Sequence, residues 1–494
     1  MSENPGHDMP AEDVEVSDLL KKGLRASDES DACAGTVGDV AAGAIKLEYK
    51  DNLSEKEAHV LRRVLSTEGS VKKLKLFGIP LCLCQIALEG HDDGASSLDE
   101  LELFAVESEG KHFSVNLSGI FANLRVLNLS CNDIGDSFAK NIADFLKNND
   151  TLRELGLWSN DIGDEGATAL AEALKENGTL KKLALTQNNL TSQAILAFAD
   201  ALAVNSTLEL VELFEVDVEE EDLAALFGNE RYADSFKRIY ILWMQEYLAD
   251  LTRLLREDRH CSEVSIDVTD TVSEEHLREF FEAVAKNATV RTLHFHQGGC
   301  TFDALTDGLV SVLERSTTLT HVQNLMDVDR DETLVRILDA LKENRSVTAF
   351  TMYAEQLTPA IATSLSQLLA ANDVLNSVSV CEHFEISSDE LGVVLEGLRK
   401  NYTLTKLMVA WDPDDSVEGV SEMAELLERN VRLLDRAVEF VRAGSAVVDD
   451  VEGADALKKV RSSAGLVDKL QKLTGKNKEA VLLNIEGALA RLQS

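Results

Sequence analysis

Aromatic residues, prolines and positive charge are all scarce in this chain. Aromatics make up 5% of its 494 residues, and it has five prolines, which argues against long Pro-rich linkers. Lys and Arg total 48 against 87 Asp and Glu, a formal net charge of −39. This charge argues against nucleic acid or anionic membrane as a partner, because both attract cationic surfaces. It favours encounter with a basic protein partner, although the solubility of a long exposed chain would also explain it.

The cysteines form no recognisable pattern, and long apolar runs are absent from the sequence. The seven cysteines are odd in number, and they have no spacing typical of a disulfide framework or a metal site. No apolar segment follows Met1 as in a signal peptide, and no apolar run is long enough to cross a membrane. We therefore expect a reducing compartment, the cytosol or the nucleus, and favour a cytoplasmic protein. No metal or cofactor is expected.

A 28-residue repeat dominates the middle of the sequence. Its units open at Leu124, Leu152, Leu180 and Leu208. The spacing is Leu-x-x-Leu-x-Leu-x-x-Asn-x-(Ile or Leu), and its alternating leucines predict a short strand with one buried face. The asparagines stand where the chain would leave the strand, and there they can satisfy loop backbone groups. These structural turn residues are Asn132, Asn160 and Asn188.

A helix is predicted after each turn. In the first strong unit the apolar residues fall at positions i, i+3, i+4 and i+7, namely Ala139, Ile142, Ala143 and Leu146. Predicted N-cap residues precede the three helices: Asp136, Asp164 and Ser192. Each unit is thus a strand, a turn, a helix and a return, and only stacking of units closes the core.

The same rhythm continues in weaker form in both directions. Between Ala42 and Leu404 there are 14 unit starts, with a mean spacing of about 28 residues. The later units lack the turn asparagine, so their turns must be held differently. We predict three regions: an acidic, disordered tail at 1–40, a solenoid of about 14 units at 41–411, and a helical region at 412–494.

The C-terminal region differs in charge from the rest of the chain. Residues 440–494 carry nine Lys and Arg against seven Asp and Glu, a net charge of +2, which leaves −41 for the first 439 residues. A helical cap that covers the end of the solenoid core is one interpretation. A separate interaction module is the alternative.

Six Asn-x-Ser/Thr sequons recur three residues before a repeat start. Their asparagines are Asn149, Asn177, Asn205, Asn287, Asn344 and Asn401. Because their position recurs with the repeat, we interpret them as residues at helix C-termini, where Asn tolerates the left-handed conformation, and not as glycosylation sites.

No enzyme motif is recognisable. The chain lacks a phosphate-binding G-x-x-x-x-G-K-[ST] loop, H-E-x-x-H and G-x-S-x-G, so no catalytic residue is predicted. His294 and His296 flank Phe295 and share one face of a predicted strand. Two side chains make a poor metal site, so surface histidines are the preferred interpretation.

Aromatic residues gather on the outward side of the predicted strands, which would be the concave face of the solenoid. They are Trp158, Phe214, Tyr240, Trp243, His294, His296, Tyr353 and Trp411. Acidic residues share this face: Glu154, Glu212, Glu215, Glu263 and Asp267. Tryptophan is enriched in binding hot spots, and negative charge suits a basic protein. The alternative is that some rings cover neighbouring repeats or the C-terminal cap.

The motif between Leu124 and Leu213 resembles the ribonuclease-inhibitor-like subclass of leucine-rich repeats, which also forms the repeat halves of NLR-family receptors and the body of the Ran GTPase-activating protein. The resemblance implies an α/β fold, a right-handed parallel β/α horseshoe with convex helices, and a role in binding other proteins. Unlike ribonuclease inhibitors the chain is poor in cysteine, and unlike NLR receptors it has no nucleotide-binding motif. We expect a non-enzymatic interaction protein or scaffold, with a GTPase activator as the alternative.

Overall fold

The computed structural model describes most of the chain in two compact units, Met1–Leu242 and Trp243–Ser494, which are treated separately. The described residues are 44–48, 53–65, 71–89, 98–106, 113–117, 119–217, 226–227, 229–232, 234–269, 271–297, 303–324, 331–353, 357–381, 387–409, 419–444 and 450–492. The predicted acidic tail at 1–40 lies outside them, as does Trp411.

The first unit is built on a parallel sheet whose strands follow one another in chain order from β1 to β8. Its strands are β1 (Ala44–Glu48), β2 (Lys73–Phe77), β3 (Glu100–Phe104), β4 (Val126–Asn128), β5 (Glu154–Gly156), β6 (Lys182–Ala184), β7 (Leu210–Glu212) and β8 (Ile239–Tyr240). Its α-helices are α1 (Glu55–Leu65), α2 (Leu81–Leu88), α3 (Asp136–Asn148), α4 (Asp164–Glu176) and α5 (Ser192–Leu202), and 3-10 turns occupy Gly119–Asn123, Glu230–Tyr232 and Ser235–Lys237.

The second unit repeats this plan in a second parallel sheet, again in chain order. Its strands are β9 (Leu242–Met244), β10 (Glu263–Val268), β11 (Thr292–Gln297), β12 (His321–Asn324), β13 (Ala349–Tyr353), β14 (Ser377–Cys381) and β15 (Lys406–Val409). A 3-10 turn (Gln245–Tyr247) and the helices α6 (Leu248–Arg256), α7 (Glu274–Lys286), α8 (Asp303–Arg315), α9 (Asp331–Glu343), α10 (Pro359–Ala371) and α11 (Ser388–Leu398) connect them.

The core follows the leucine spacing. Leu127 pairs in register with Leu155, and Leu155 with Leu183, so equivalent residues of successive repeats stack side by side. The apolar stripe of α3, which includes Ile142 and Leu146, is buried against this row. A strand follows each of the 14 predicted unit starts. The predicted α/β leucine-rich-repeat solenoid, with parallel strands alternating with helices, is therefore confirmed within each unit.

The predicted N-caps are wrong by one residue. Asp136 and Asp164 are the first residues of α3 and α4, whose N-caps are Gly135 and Gly163, and Thr191 caps α5 ahead of Ser192. The carboxylate of Asp136 instead accepts hydrogen bonds from the backbone N–H groups of Gly163, at 2.8 Å, and Gly166, at 2.9 Å. The aspartate therefore ties one repeat to the next, an interaction that cannot be read from a single unit.

The sequon asparagines are not left-handed. Asn149, Asn177 and Asn287 follow their helices with extended backbones, at φ −92°, −72° and −74°. All six are buried. Asn177 shows the pattern: Nδ2 donates to the carbonyls of Leu146 (2.7 Å) and Asn149 (3.0 Å), and Oδ1 accepts from the N–H of Leu180 (2.9 Å). These side chains form a ladder that joins consecutive repeats.

Four helices end the second unit: α12 (Val420–Ala443), α13 (Val451–Val460), α14 (Ala464–Thr474) and α15 (Lys478–Arg491). They share an apolar cluster that includes Leu434, Leu457 and Val481. Asn430 of α12 donates to the carbonyl of Leu404 at 2.8 Å, so α12 closes the end of the last repeat as a cap. Among the described helices, none is both long and apolar enough to cross a membrane.

Candidate interaction face

The asparagines of the turns hold the strand ends of the first unit in place. Asn160 Oδ1 accepts from the backbone N–H groups of Asn132 (2.9 Å) and Ile134 (3.1 Å), and its Nδ2 donates to the carbonyls of Leu129 (3.1 Å) and Leu157 (3.0 Å). Asn132 and Asn188 make equivalent bonds to neighbouring repeats. Each asparagine satisfies backbone groups that would otherwise be buried without partners.

A left-handed residue turns the chain at each of these strand ends. It stands two residues after the third apolar position and has φ between 50° and 62°: Gly78, Ala105, Cys131, Ser159, Gln187 and Glu215. This conformation breaks the alternation of the strand. The residue just before the left-handed one is therefore the last in its repeat to point to the outward side of the sheet. We call this the rim position.

Aromatic side chains occupy this rim position in several repeats. Trp158 is 37% exposed and stacks on Phe104, with ring centroids 6.2 Å apart. Phe104 in turn contacts Phe77, with centroids 5.3 Å apart. The repeat between Phe104 and Trp158 has a small residue, Ser130, at its rim position. The Trp158 ring can therefore extend over that repeat to contact Phe104. We refer to Phe77, Phe104 and Trp158 as the aromatic row.

Phe77 and Phe104 were not selected from the sequence, although the signal for them was present. Both stand one residue after the third apolar position of their repeats, as Trp158 does. Further along the same sheet, Phe214 stacks on Tyr240 with centroids 5.9 Å apart. Both rings are partly buried, so two separate aromatic groups line the outward side of the first unit.

Charges on this face are more balanced than the sequence suggested. Glu212 pairs with Lys182 at 2.6 Å, Glu102 with Lys75 at 2.9 Å, and Glu100 with Lys73 at 2.8 Å. Those lysines were not considered in the sequence-based prediction, and they neutralise part of the acidic character.

Two exposed carboxylates remain on the face. Glu154 and the left-handed Glu215 make no ion pair with any described residue of the unit. Glu154 begins β5 and Trp158 lies two residues beyond its end, so only Gly156 separates them on the outward side. A Cβ at Gly156 would lie 2.7 Å from Asn128 Oδ1, so glycine is needed there to let the Asn128 side chain of the preceding repeat approach closely.

The predicted outward position of Trp243 is wrong. Its side chain is 1% exposed, and its ring lies 5.5 Å from that of the buried His260. In this repeat the backbone of residue 243 stays extended within β9 and is not left-handed. The alternation of buried Ile239 and Ile241 therefore continues, and Trp243 points into the core.

The outward side of the second unit carries polar groups in register. Ser265 lies beside His294, whose Nδ1 is 2.8 Å from Gln323 Oε1, and burial lowers the pKa of His294. Asp267 lies beside His296. Burial raises the pKa of Asp267, the charge of His296 lowers it, and Glu246 raises it further. Half-buried Glu263 starts the same strand.

Two of the predicted binding residues, Tyr353 and Trp411, lie partly or wholly outside the described structure. Tyr353 ends β13, where its backbone pairs with Cys381, but its side chain lies outside the described part of the structure. Trp411 lies outside it entirely. Within the described residues, no group of three or more His, Cys, Asp or Glu side chains is placed to hold a metal ion.

Comparison with known proteins supports the repeat assignment. The family profile described as "Leucine Rich repeat" matches residues 122–143 and 148–171. Tropomodulin-4 of Bos taurus is 31% identical over 128 residues, which are 25% of this chain. The chain spans 36% of the length of that relative. Leucine-rich repeats are therefore detected in the part of the chain that contains Trp158.

Two solved structures are also similar. A yeast Rad7 and Elc1 complex aligns over 83% of this chain and 91% of that chain, with 13% identity and a TM-score of 0.42. Leiomodin-1 actin-binding site 2 aligns over 38% of this chain and 78% of that chain, with 18% identity and a TM-score of 0.18.

Proposed function

We propose that the first unit is a non-enzymatic protein-interaction module, and that its aromatic row with Glu154 binds a basic protein partner. The observation that carries this proposal is an exposed indole, Trp158, just beyond a strand that begins with Glu154, an exposed carboxylate that makes no ion pair with any described residue. An apolar side chain of the partner would cover Trp158. A lysine or arginine beside it would pair with Glu154.

Covering Trp158 and pairing Glu154 would both lower the free energy of the complex. An exposed indole loses unfavourable hydration when it is covered, and burying apolar surface contributes about 25 cal/mol per Å². Stacking on Phe104 holds the ring in one orientation, so little conformational entropy remains to be lost on binding. Because Glu154 makes no ion pair within the described part of the chain, no such pair there has to break before the carboxylate meets a cation.

The repeat subclass, the cellular location and the absence of a cofactor are proposed from the sequence. We place the repeats in the ribonuclease-inhibitor-like subclass, because their period is about 28 residues and an α-helix follows the strand in most described units. We also propose a cytoplasmic location and no cofactor. A GTPase-activating role is the competing function, and it would appear as faster GTP hydrolysis by small GTPases when the protein is added.

The test is affinity capture with matched variants. Trp158→Ala and Glu154→Gln should each reduce partner capture by roughly tenfold or more, since hot-spot truncations cost about 2 kcal/mol. Leu196→Ala is the control, because Leu196 is similarly exposed, at 42%, but lies on α5. Equal capture by all three variants, with unchanged circular dichroism, would contradict the proposed face. Accelerated GTP hydrolysis would contradict the non-enzymatic role.

A further inference from the structure

The turn between α14 and α15 carries an unusual surface for this chain. Gly475 ends α14 in the left-handed conformation, with φ +65°, and Asn477 caps α15 by accepting the N–H of Ala480 at 3.0 Å. Three exposed leucines flank this turn: Leu473 at 55% exposure, Leu482 at 41% and Leu483 at 67%. We refer to residues 472–483 as the C-terminal elbow.

The elbow is also cationic. Lys472, Lys476 and Lys478 are exposed and make no ion pair with any described residue, whereas Lys469, one turn earlier, pairs with Asp435. With Glu479 as the one acidic residue, the elbow has a net charge of +2 in a chain whose net charge is −39. Leu473 continues the buried stripe of Leu466 and Leu470 past the end of the apolar cluster.

We propose that the elbow of one copy of this chain docks on the aromatic row and Glu154 of a second copy. This inference rests on the proposed function of that face, which requires apolar and cationic side chains together, and the elbow supplies both. Exposed leucines would cover Trp158, and a lysine would pair with Glu154. An anionic membrane is a poorer occupant, because the net charge of −39 would oppose approach to anionic lipid.

The contact is heterologous, because two different surfaces meet. A dimer formed in this way keeps one free elbow on one copy and one free face on the other, so association is open-ended unless a ring closes. The mass should therefore rise with concentration above 54.1 kDa, the mass of one chain. Self-repulsion between acidic copies makes the contact weak. Salt at about 1 M should screen the attraction between the lysines and Glu154, since the Debye length is then about 3 Å.

Sedimentation velocity of the full chain over roughly 1–100 μM tests the proposal, a range that suits a weak contact. The elbow variant Lys472→Glu, Lys476→Glu, Lys478→Glu and the face variant Trp158→Ala, Glu154→Lys should each remain monomeric. Mixed in equal amounts they should form a dimer of twice 54.1 kDa, because one intact face then meets one intact elbow. The control Lys147→Glu, Lys286→Glu, Lys458→Glu makes the same charge change at exposed lysines elsewhere and should associate like the wild type.

Three results would overturn the inference: a wild type that is monomeric throughout, an elbow variant that still associates, or a mixture that does not dimerise. Elbow-dependent binding of the monomer to phosphatidylserine vesicles would also overturn it in favour of a membrane. None of these results removes the proposed function, because capture of a basic partner through Trp158 is measured separately. Loss of that capture alone would contradict the proposed function instead.

Discussion

Arg238 donates from Nη1 to the backbone carbonyl of Asn205 at 2.6 Å, and so takes the place of the next asparagine in the ladder. Asn205 makes the same contact to Asn177 at 2.9 Å, and Asn177 to Asn149 at 3.0 Å. In the second unit Arg429 donates to the carbonyl of Asn401 in the same way. An arginine therefore ends each ladder, and its several N–H groups satisfy carbonyls where the asparagine is missing.

We expect Asn177→Ala to lower the free energy of unfolding by about 2–4 kcal/mol, because several buried backbone groups lose their partners together. Urea unfolding followed by circular dichroism measures the change. Asn148→Ala is the control, since that exposed side chain makes a single 3.4 Å bond to the carbonyl of Asp144. Equal losses in the two variants would show that the ladder contributes nothing to stability.

Truncation of the two described tryptophans should lower stability by very different amounts. Trp243→Ala leaves a cavity in the core and should cost about 3–5 kcal/mol of unfolding free energy. Trp158→Ala removes an exposed ring and should cost about 1 kcal/mol, the value of a stacked aromatic pair. Thermal and urea unfolding check both values. A large loss with Trp158→Ala would mean that this ring serves stability, which would weaken its assignment to binding.

Gln187→Gly should stabilise the first unit. Gln187 has φ +54°, a conformation that costs a residue with a side chain about 1–2 kcal/mol. Glycine adopts it freely but gains entropy in the unfolded chain, so the net gain should be about 0.5–1 kcal/mol. The same substitution at Gln193, in the helix α5, should destabilise. A loss of stability at both positions, by urea unfolding, would contradict the assigned strain.

Acid should destabilise the second unit through His260. Burial lowers the pKa of His260 to about 4, while in the unfolded chain it is about 6.5. The folded state therefore favours the neutral ring. Its contribution is complete above about pH 6.5 and is lost as the pH falls toward about 4, with roughly 2 kcal/mol gone at about pH 5.

Urea unfolding at about pH 7.5 and about pH 5 tests this dependence, since the two values lie on either side of the unfolded pKa. His260→Gln should lose less stability between the two pH values than the wild type. The control His276→Gln removes an exposed histidine and should behave like the wild type. Identical pH dependence in the wild type and His260→Gln would mean that His260 does not control acid stability.

The repeat architecture was predictable because its cause is local. Leu127 and Leu129 alternate with polar residues, and the apolar helix stripe around Ile142 recurs every 28 residues. The buried face of each unit can therefore be read from that unit alone. The exposure of Trp158 was predictable for the same reason. Phe77 and Phe104 could have been found by the same count.

Contacts between repeats were not predictable in this way. Asp136 bonds backbone groups 27 and 30 residues further on, and Arg238 reaches carbonyls of an earlier repeat. A single-unit pattern assigns such side chains to caps or to solvent. Their partners appear only after the units are stacked.

The buried side chain of Trp243 marks the limit of what the sequence pattern determined about this protein. The sequence by itself determined the 28-residue period, the parallel strand–helix units and the leucine core, because these follow from the spacing of apolar residues. Only the tertiary structure decided that Trp243 points into the core. The direction of this side chain depends on the backbone, which turns left-handed at Ser159 but stays extended at the equivalent Trp243, because only a left-handed residue interrupts the alternation of the strand.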